Sequence, residues 1–261
     1  MHSLEDKLRK KYGAGFSAFP QDFLERVRGL DEIRRCLKTT QAYSHKSGEP
    51  VSQRSQSRVY YLFDASALHH LYVPDERLTE QLDHFIEQRG LGRAFLFVPN
   101  FCVAEVFNSL ARKHYRQQEL TSEQYRLCKE EFRRDIHNGL LFYHYELNRY
   151  HVLNTDYIVP FEHLFETHRP KGIKKGEEWR LSTLDLLIIG MGMELSRMTG
   201  GGAYVVTCDR RIDKVGKVLA DLTREQRSQH EIPSYIRFPR MLYLWETSLG
   251  ELPRVEGQQV G

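Results

Sequence analysis

Four acidic residues stand where an apolar run ends or where a helix is expected to begin. Asp64 and Asp209 each follow a strand-like run, and Glu105 lies a few residues beyond a third run. Asp185 opens an apolar, helix-like stretch. Because the carboxyl ends of parallel strands meet at one edge of an open sheet, we expect the four carboxylates to share one crevice. Several carboxylate oxygens in one crevice suit Mg²⁺ or Mn²⁺. Such a site is the starting point for metal-assisted cleavage of a phosphodiester.

Asp64 and Glu105 each have a structural explanation that needs no ligand. Asp64 can cap the helix that is predicted to follow it. Glu105 lies opposite the apolar arc of its predicted helix, on the same side as Asn108, and that polar side can simply face solvent. The site hypothesis requires instead that this polar side lines a cleft.

Asp185 is the most informative of the four acids. Residues 182–185 have the sequence Ser-Thr-Leu-Asp, which resembles a capping box with Asp in place of Glu. The next eight residues, 186–193, contain no polar side chain, so the helix is predicted to be buried on nearly every side. A charge that enters a buried helix costs roughly several kcal/mol unless it is paired or bound to a metal. Capping and metal binding therefore both remain explanations for Asp185.

Asp209 lies between a predicted strand and a predicted helix, two residues after Thr207. This is a position at the carboxyl edge of the sheet. Asp213 follows one helical turn later and can share a face with Asp209. The alternative is that Asp209 forms an ion pair with Arg210 or Lys217.

The order and surroundings of the four acids resemble those of the PIN-domain nucleases. Two strings carry most of the likeness, Phe-Asp-Ala-Ser-Ala-Leu at 63–68 and Val-Val-Thr-Cys-Asp at 205–209. They are most similar to the VapC-type toxin ribonucleases. The resemblance covers about 59–245 and implies a PIN-like three-layer α/β/α fold with a central, mainly parallel sheet. Glu105 and Asp185 are 80 residues apart, so an additional segment is predicted around 143–178.

The resemblance also implies roles for individual residues. The expected catalytic residues, which would also bind Mg²⁺ or Mn²⁺, are Asp64, Glu105, Asp185 and Asp209, with Glu105 acting through water or as a positioning residue. The expected supporting hydroxyls are those of Ser66 and Thr207. By their helical positions rather than by the resemblance, Asp213 is expected as a further metal ligand and Asn108 as a further supporting residue. The implied activity is that of a metal-dependent endoribonuclease, toxin-like or defence-related. Two alternatives stay open, a catalytically silent PIN-like scaffold in an RNA-processing assembly and a nuclease that acts on DNA.

The chain is predicted to have three parts: a helical N-terminal arm at 1–43, a polar linker at 44–58 and the nuclease domain at 59–250. The first two parts together hold 12 Lys and Arg against 7 Asp and Glu, a net charge of +5, whereas the rest of the chain has −2. A basic arm indicates an anionic partner. Within the arm, Gln21–Lys38 has an apolar stripe that is typical of an amphipathic helix. We expect the arm to bind an antitoxin, an assembly subunit or a second copy of the chain, or to pack on the chain's own nuclease domain.

RNA contacts are expected from basic residues near the acids. These residues are Arg169, Lys171, Lys174 and Lys175 in a loop before the Asp185 helix, and Arg210 and Arg211 after Asp209.

Strands that alternate with helices predict right-handed βαβ units and a parallel sheet. The predicted strands are Val59–Phe63, Phe95–Val98, 139–145, 203–207 and 241–245. The predicted helices are 65–72, 76–89, 100–114 with Asn100 as the cap, 119–138, 158–167, the helix that Asp185 opens, and 210–219.

The four cysteines, Cys36, Cys102, Cys128 and Cys208, are too far apart for a zinc-ribbon spacing. The chain has neither a signal-peptide pattern nor an apolar stretch of membrane-spanning length. We therefore expect a soluble, cytoplasmic protein with free thiols and no membrane partner.

Overall fold

The structure is a computed structural model, and it describes residues 59–73, 75–90, 93–138, 141–161 and 181–253. The predicted arm at 1–43, with its helix Gln21–Lys38, and the predicted linker at 44–58 lie outside the described residues. The basic loop that contains Arg169, Lys171, Lys174 and Lys175 also lies outside them.

Five parallel strands form a single sheet at the centre of the described residues. In chain order the strands are β1 (Val59–Phe63), β2 (Ala94–Pro99), β3 (Tyr143–Tyr145), β4 (Ala203–Thr207) and β5 (Arg240–Tyr243). Their spatial order is β3-β2-β1-β4-β5. After β1 the chain adds β2 and then β3 on one side of β1. It then returns to the opposite side of β1, where it adds β4 and then β5. The switch point of the sheet therefore lies between β1 and β4, where open α/β sheets bind their ligands.

The helices follow the strands as the βαβ pattern predicts. Their bounds are α1 (Ala65–Leu68), α2 (Thr79–Gly90), α3 (Asn100–Tyr115), α4 (Ser122–Asn138), α5 (Arg149–Asn154), α6 (Thr183–Met198), α7 (Arg210–Ala220) and α8 (Arg224–Gln229). Every residue of β2 is buried, as is typical of a parallel strand that is covered on both faces. This α/β arrangement is consistent with a three-layer α/β/α fold.

Several predicted boundaries are wrong. The helix predicted at 65–72 is a single α-turn, α1, followed by a 3₁₀ turn at His69–Leu71. Of the strand predicted at 139–145, residues 139 and 140 lie outside the described ones, and the described remainder is paired at Tyr143–Tyr145. The short helix α5 has no counterpart among the predictions. Its cap is Asn148, whose side chain accepts from the backbone N–H groups of Tyr150 and His151.

Asn100 does not cap α3, contrary to prediction. The cap position belongs to Pro99, whose extended backbone ends β2, and no side chain bonds to the helix from that position. Asn100 is the first residue of the helix, and its Oδ1 lies 3.3 Å from Nδ1 of His144 at the edge strand β3. The Asn100 side chain, which was predicted to cap the helix, thus contacts His144 on the neighbouring strand instead.

Two glycines let α6 lie close to its neighbours. A Cβ at Gly190 would lie 2.6 Å from the backbone oxygen of His151 in α5. A Cβ at Gly192 would lie 2.7 Å from Cγ2 of Val205 in β4 and 2.8 Å from Cγ of Pro239. These separations are too short for a real Cβ atom, so α6 is held against both α5 and the sheet only because these positions lack side chains. As predicted, α6 is buried from Leu187 to Ser196.

Within the described residues, the helices are too short or too polar to cross a membrane. Cys102, Cys128 and Cys208 are free thiols.

Candidate metal centre

Asp64 ends β1 and caps α1, so the capping explanation holds for this residue. It is also only 5% exposed. Its Oδ2 accepts hydrogen bonds from the hydroxyl of Ser66, from the backbone N–H of Ser66 at 3.3 Å and from Oγ1 of Thr207 at 3.0 Å. None of these three bonds uses Oδ1. Capping therefore leaves one carboxylate oxygen of Asp64 for another partner.

The two hydroxyls that bind Asp64 are themselves oriented by the backbone after β4. The N–H of Cys208 donates to Oγ of Ser66 at 2.9 Å, and the N–H of Asp209 donates to Oγ1 of Thr207 at 2.9 Å. Because each hydroxyl accepts from an N–H, its own proton is directed to the carboxylate. The predicted supporting roles of Ser66 and Thr207 therefore have a geometric basis. The turn after β4 holds the acid at the end of β1.

Glu105 lies on α3 and is half-buried, with its carboxylate beside Asp64. Ligand atoms of Asp64, Cys102 and Glu105 all lie within 4.8 Å of one another. Burial, together with the charges of Asp64 and Asp185, raises the pKa of Glu105 to about 7. The polar side of α3 therefore faces Asp64 at Glu105, and the cleft that the site hypothesis requires stays a prediction. Asn108, three residues further along α3, is exposed.

Asp185 is the third residue of α6 and forms the predicted capping box. Its Oδ2 accepts from the N–H of Ser182 at 2.7 Å, and its own N–H donates to Oγ of Ser182 at 3.2 Å. Burial raises the pKa of Asp185, and the charge of Asp209 adds to this effect. Asp185 also contributes to the raised pKa of Asp64, of which burial is the main cause. Capping and membership of the acidic cluster therefore coexist at this residue.

Asp209 caps α7 and forms an ion pair with a residue other than the two that the sequence suggested. Arg211 binds its carboxylate, with Nη2 at 2.7 Å from Oδ2. The same Nη2 lies 3.8 Å from Oδ2 of Asp185. Burial alone would raise the pKa of Asp209, but the hydrogen bonds from Arg211 hold it below its usual value.

Two other predicted site residues lie in different surroundings. Asp213 is buried and pairs with Lys217 at 2.9 Å, and its other charged neighbours include Glu246. Its assignment as a metal ligand stays a prediction, which this pairing does not favour. Arg210 is exposed and lies 3.8 Å from Glu246, so it remains accessible to a phosphate group.

The carboxylates that are present fit a hard divalent cation. Oδ1 of Asp64 and Oδ1 of Asp185 accept none of the hydrogen bonds described above, and Glu105 lies beside Asp64. Burial raises the pKa of the Cys102 thiol well above its usual value, which keeps the thiol protonated. The donors that remain are carboxylate oxygens, which are the preferred ligands of Mg²⁺ and Mn²⁺.

The sequence prediction did not include Cys102. It lies three residues before Glu105, a spacing that places two side chains on the same side of a helix. This spacing in the sequence could have predicted that Cys102 lies beside Glu105.

No protein-family model matches the chain, and no curated protein sequence matches it either.

Proposed function

We propose that the protein is a metal-dependent endoribonuclease with a PIN-like fold. The observation that carries this proposal is the convergence of four carboxylates from separate parts of the chain. Glu105 lies beside Asp64, and the Arg211 guanidinium lies between Asp185 and Asp209. The charge of Asp185 raises the pKa values of Asp64 and Glu105, and the charge of Asp209 raises that of Asp185. Asp64 and Asp209 come just after β1 and β4, the two strands that flank the switch point of the sheet.

The cluster suits hydrolysis of a phosphodiester better than covalent catalysis. A nucleophilic cysteine has to be a thiolate, and the buried Cys102 thiol stays protonated. Acidic residues that lack a cation repel an anionic substrate, so the substrate needs a divalent ion as an intermediary. Asp64, Glu105 and Asp185 would hold this ion, with Asp209 beside them.

A bound divalent ion would lower the pKa of water and stabilise the charge that develops on the phosphate. The protein's own contribution is to keep its ligands in place. Ser66 and Thr207 fix one oxygen of Asp64, and Ser182 fixes one oxygen of Asp185. The exposed Arg210 lies next to Asp209 and can contact the substrate backbone.

RNA is proposed as the substrate because segments 63–68 and 205–209 resemble those of VapC-type ribonucleases. A role as a toxin or in defence, with an antitoxin as partner, belongs to the same proposal.

The test is a cleavage assay of the purified full-length chain on tRNA, rRNA and single-stranded DNA, with Mn²⁺, with Mg²⁺ and with excess EDTA. We expect internal cleavage of RNA with either metal and none with EDTA. Asp64→Asn should abolish cleavage. The matched control is Asp221→Asn, which makes the same change at an exposed residue just after α7 and should retain full activity.

Each alternative has its own outcome in this assay. Cleavage of DNA but not of RNA would indicate a DNA-acting nuclease. RNA binding without cleavage by the wild-type chain would indicate a silent scaffold. Cleavage that persists in EDTA or in the Asp64→Asn variant would contradict the proposed mechanism.

A further inference from the structure

Arg211 occupies both oxygens of Asp209. Its Nε lies 3.2 Å from each of Oδ1 and Oδ2, and its Nη2 lies 2.7 Å from Oδ2. Its backbone N–H donates to Oδ1 at 2.7 Å. Bidentate bonds between arginine and carboxylate are among the stronger hydrogen bonds in proteins, because both partners are charged and their planes match.

The same guanidinium lies between two of the four acids. Its Nη2 is 3.8 Å from Oδ2 of Asp185 and 2.7 Å from Oδ2 of Asp209. The Arg211 side chain is 36% exposed, so solvent screens its charge only in part. A guanidinium cannot lose its proton in a protein, so this positive charge is permanent.

The cluster is therefore divided into two sides. Asp185 and Asp209 share a built-in cation. Asp64 and Glu105 have hydroxyl, N–H and thiol groups as neighbours and no arginine among the described contacts. The negative charge of Asp185 acts on both of them, and that of Asp64 acts on Glu105. Two-metal nuclease sites place their ions about 3.5–4 Å apart, with carboxylates bound to both. A second ion at Asp209 would have to break the bidentate bonds and would lie close to a like charge.

We propose that Arg211 takes the place of a second divalent ion, so that the site binds one ion, on the side of Asp64 and Glu105. This inference rests on the proposed metal-dependent function and narrows it to a single-ion site. Arg211, predicted from the sequence to bind RNA, is here a positioning residue that acts through Asp209.

The test measures how many Mn²⁺ ions the full-length chain binds, by equilibrium dialysis together with electron paramagnetic resonance. We expect one ion for the wild type, with the six-line spectrum of an isolated Mn²⁺. Arg211→Gln should bind a second, weaker ion and show the spectrum of two coupled ions. The double variant Arg211→Gln/Asp209→Asn should return to one ion.

Two further variants separate the Arg211 effect from a general change in charge. Arg210→Gln removes the same charge at the adjacent position, where the partner is Glu246, and should still bind one ion. Asp209→Asn in the wild-type background should change the affinity for the single ion by less than about threefold, whereas Asp64→Asn should abolish binding. Circular dichroism checks that each variant is folded.

Failure of this inference is distinguishable from failure of the proposed function. Two coupled ions in the wild type, or one ion in a folded Arg211→Gln variant, would overturn the role of Arg211 and leave metal-dependent cleavage intact. Absence of Mn²⁺ binding by the wild type would overturn both. If a variant does not fold, the wild-type protein alone still tests the single-ion site, because two coupled ions in the wild type would overturn it.

Discussion

The buried acid at the end of β1 and the buried acids in α6 and α7 differ in whether they have a cationic partner. Glu194 in α6 is 6% exposed and receives two bonds from Arg197, at 2.8 and 2.7 Å. Asp213 in α7 is 3% exposed and pairs with Lys217. Asp64 is buried to the same extent, yet among the described residues it forms no ion pair.

This difference indicates where the proposed external cation would act. The charge of a buried carboxylate that has its own arginine or lysine is balanced within the protein, although Oδ1 of Asp213 has no hydrogen-bond partner among the described residues. Removing either member of such a pair leaves an unpaired charge. Asp64 and Glu105 are incomplete, because their principal charged neighbours are other carboxylates. We therefore expect substitutions of the two kinds of acid to have opposite effects on stability, and the following predictions test that contrast.

The largest effect is expected for Asp64→Asn. The variant keeps the shape of the side chain but removes a charge that the fold does not compensate. RNA cleavage should fall by orders of magnitude, while the thermal midpoint in EDTA should stay the same or rise. A fall in the thermal midpoint comparable to that caused by breaking an ion pair would show that Asp64 stabilises the fold. It would then not differ from the ion-paired acids Glu194 and Asp213.

Glu194→Gln should have the opposite profile. It leaves Arg197 half-buried without its carboxylate, so we expect a loss of about 2 kcal/mol in the free energy of unfolding and a fall of about 5 °C in the thermal midpoint. Cleavage per folded molecule should be retained. The matched control is Glu130→Gln, which breaks the exposed pair of Arg126 and Glu130 and should cost less than about 0.5 kcal/mol.

Thr207→Val tests the support of Asp64 without altering any charge. Valine has nearly the same shape as threonine but cannot donate to Oδ2 of Asp64 or accept from the N–H of Asp209. Loss of such a supporting bond typically weakens metal affinity by about 10- to 100-fold, and we expect about tenfold for Mn²⁺. Thr207→Ser keeps the hydroxyl and should restore most of the affinity. Equal affinities for all three proteins would contradict this role.

The smallest effect is a pH-dependent gain in stability for Glu105→Gln, measured in EDTA. The pKa of Glu105 is raised to about 7 in the folded state, so the protonated group favours folding at low pH and this contribution is lost as the pH rises to about 7. Because the residue is only half-buried, we expect a gain of about 1 kcal/mol at pH 8, or roughly 3 °C, and almost none at pH 5. Glu123→Gln, at an exposed position of α4, should show no such pH dependence.

The places of Asp64, Asp185 and Asp209 next to their strands and helices could be predicted because they depend on local patterns and on one general property of sheets. Asp64 follows β1 directly and Asp209 lies two residues after β4, and parallel strands bring such residues to one edge. The capping box of Ser182 and Asp185 is a four-residue pattern, and the structure contains it as predicted. The family resemblance stays a prediction, since neither a protein-family model nor a curated protein sequence matches the chain.

The parts that could not be predicted depend on partners that are distant in the chain or that compete with one another. Asn100 contacts His144, 44 residues away, which no local pattern reveals. Arg211 was assigned to RNA because it is basic and lies near the acids, yet two acids compete with a substrate for its guanidinium. Sequence proximity indicated that Asp209 would pair with a cation but did not identify which one.

The two glycines of α6 have a consequence for how mutations reach the cluster of acids. Gly190 and Gly192 are five and seven residues after Asp185, about 7.5 and 10.5 Å along a helix that rises 1.5 Å per residue. An added methyl at either position would collide with α5 or with the sheet, so the rigid helix would have to shift and would carry its first turn with it. Substitutions at two uncharged positions that touch no substrate could thus misplace Asp185 while the protein stays folded, and in a genetic screen they would resemble active-site mutations.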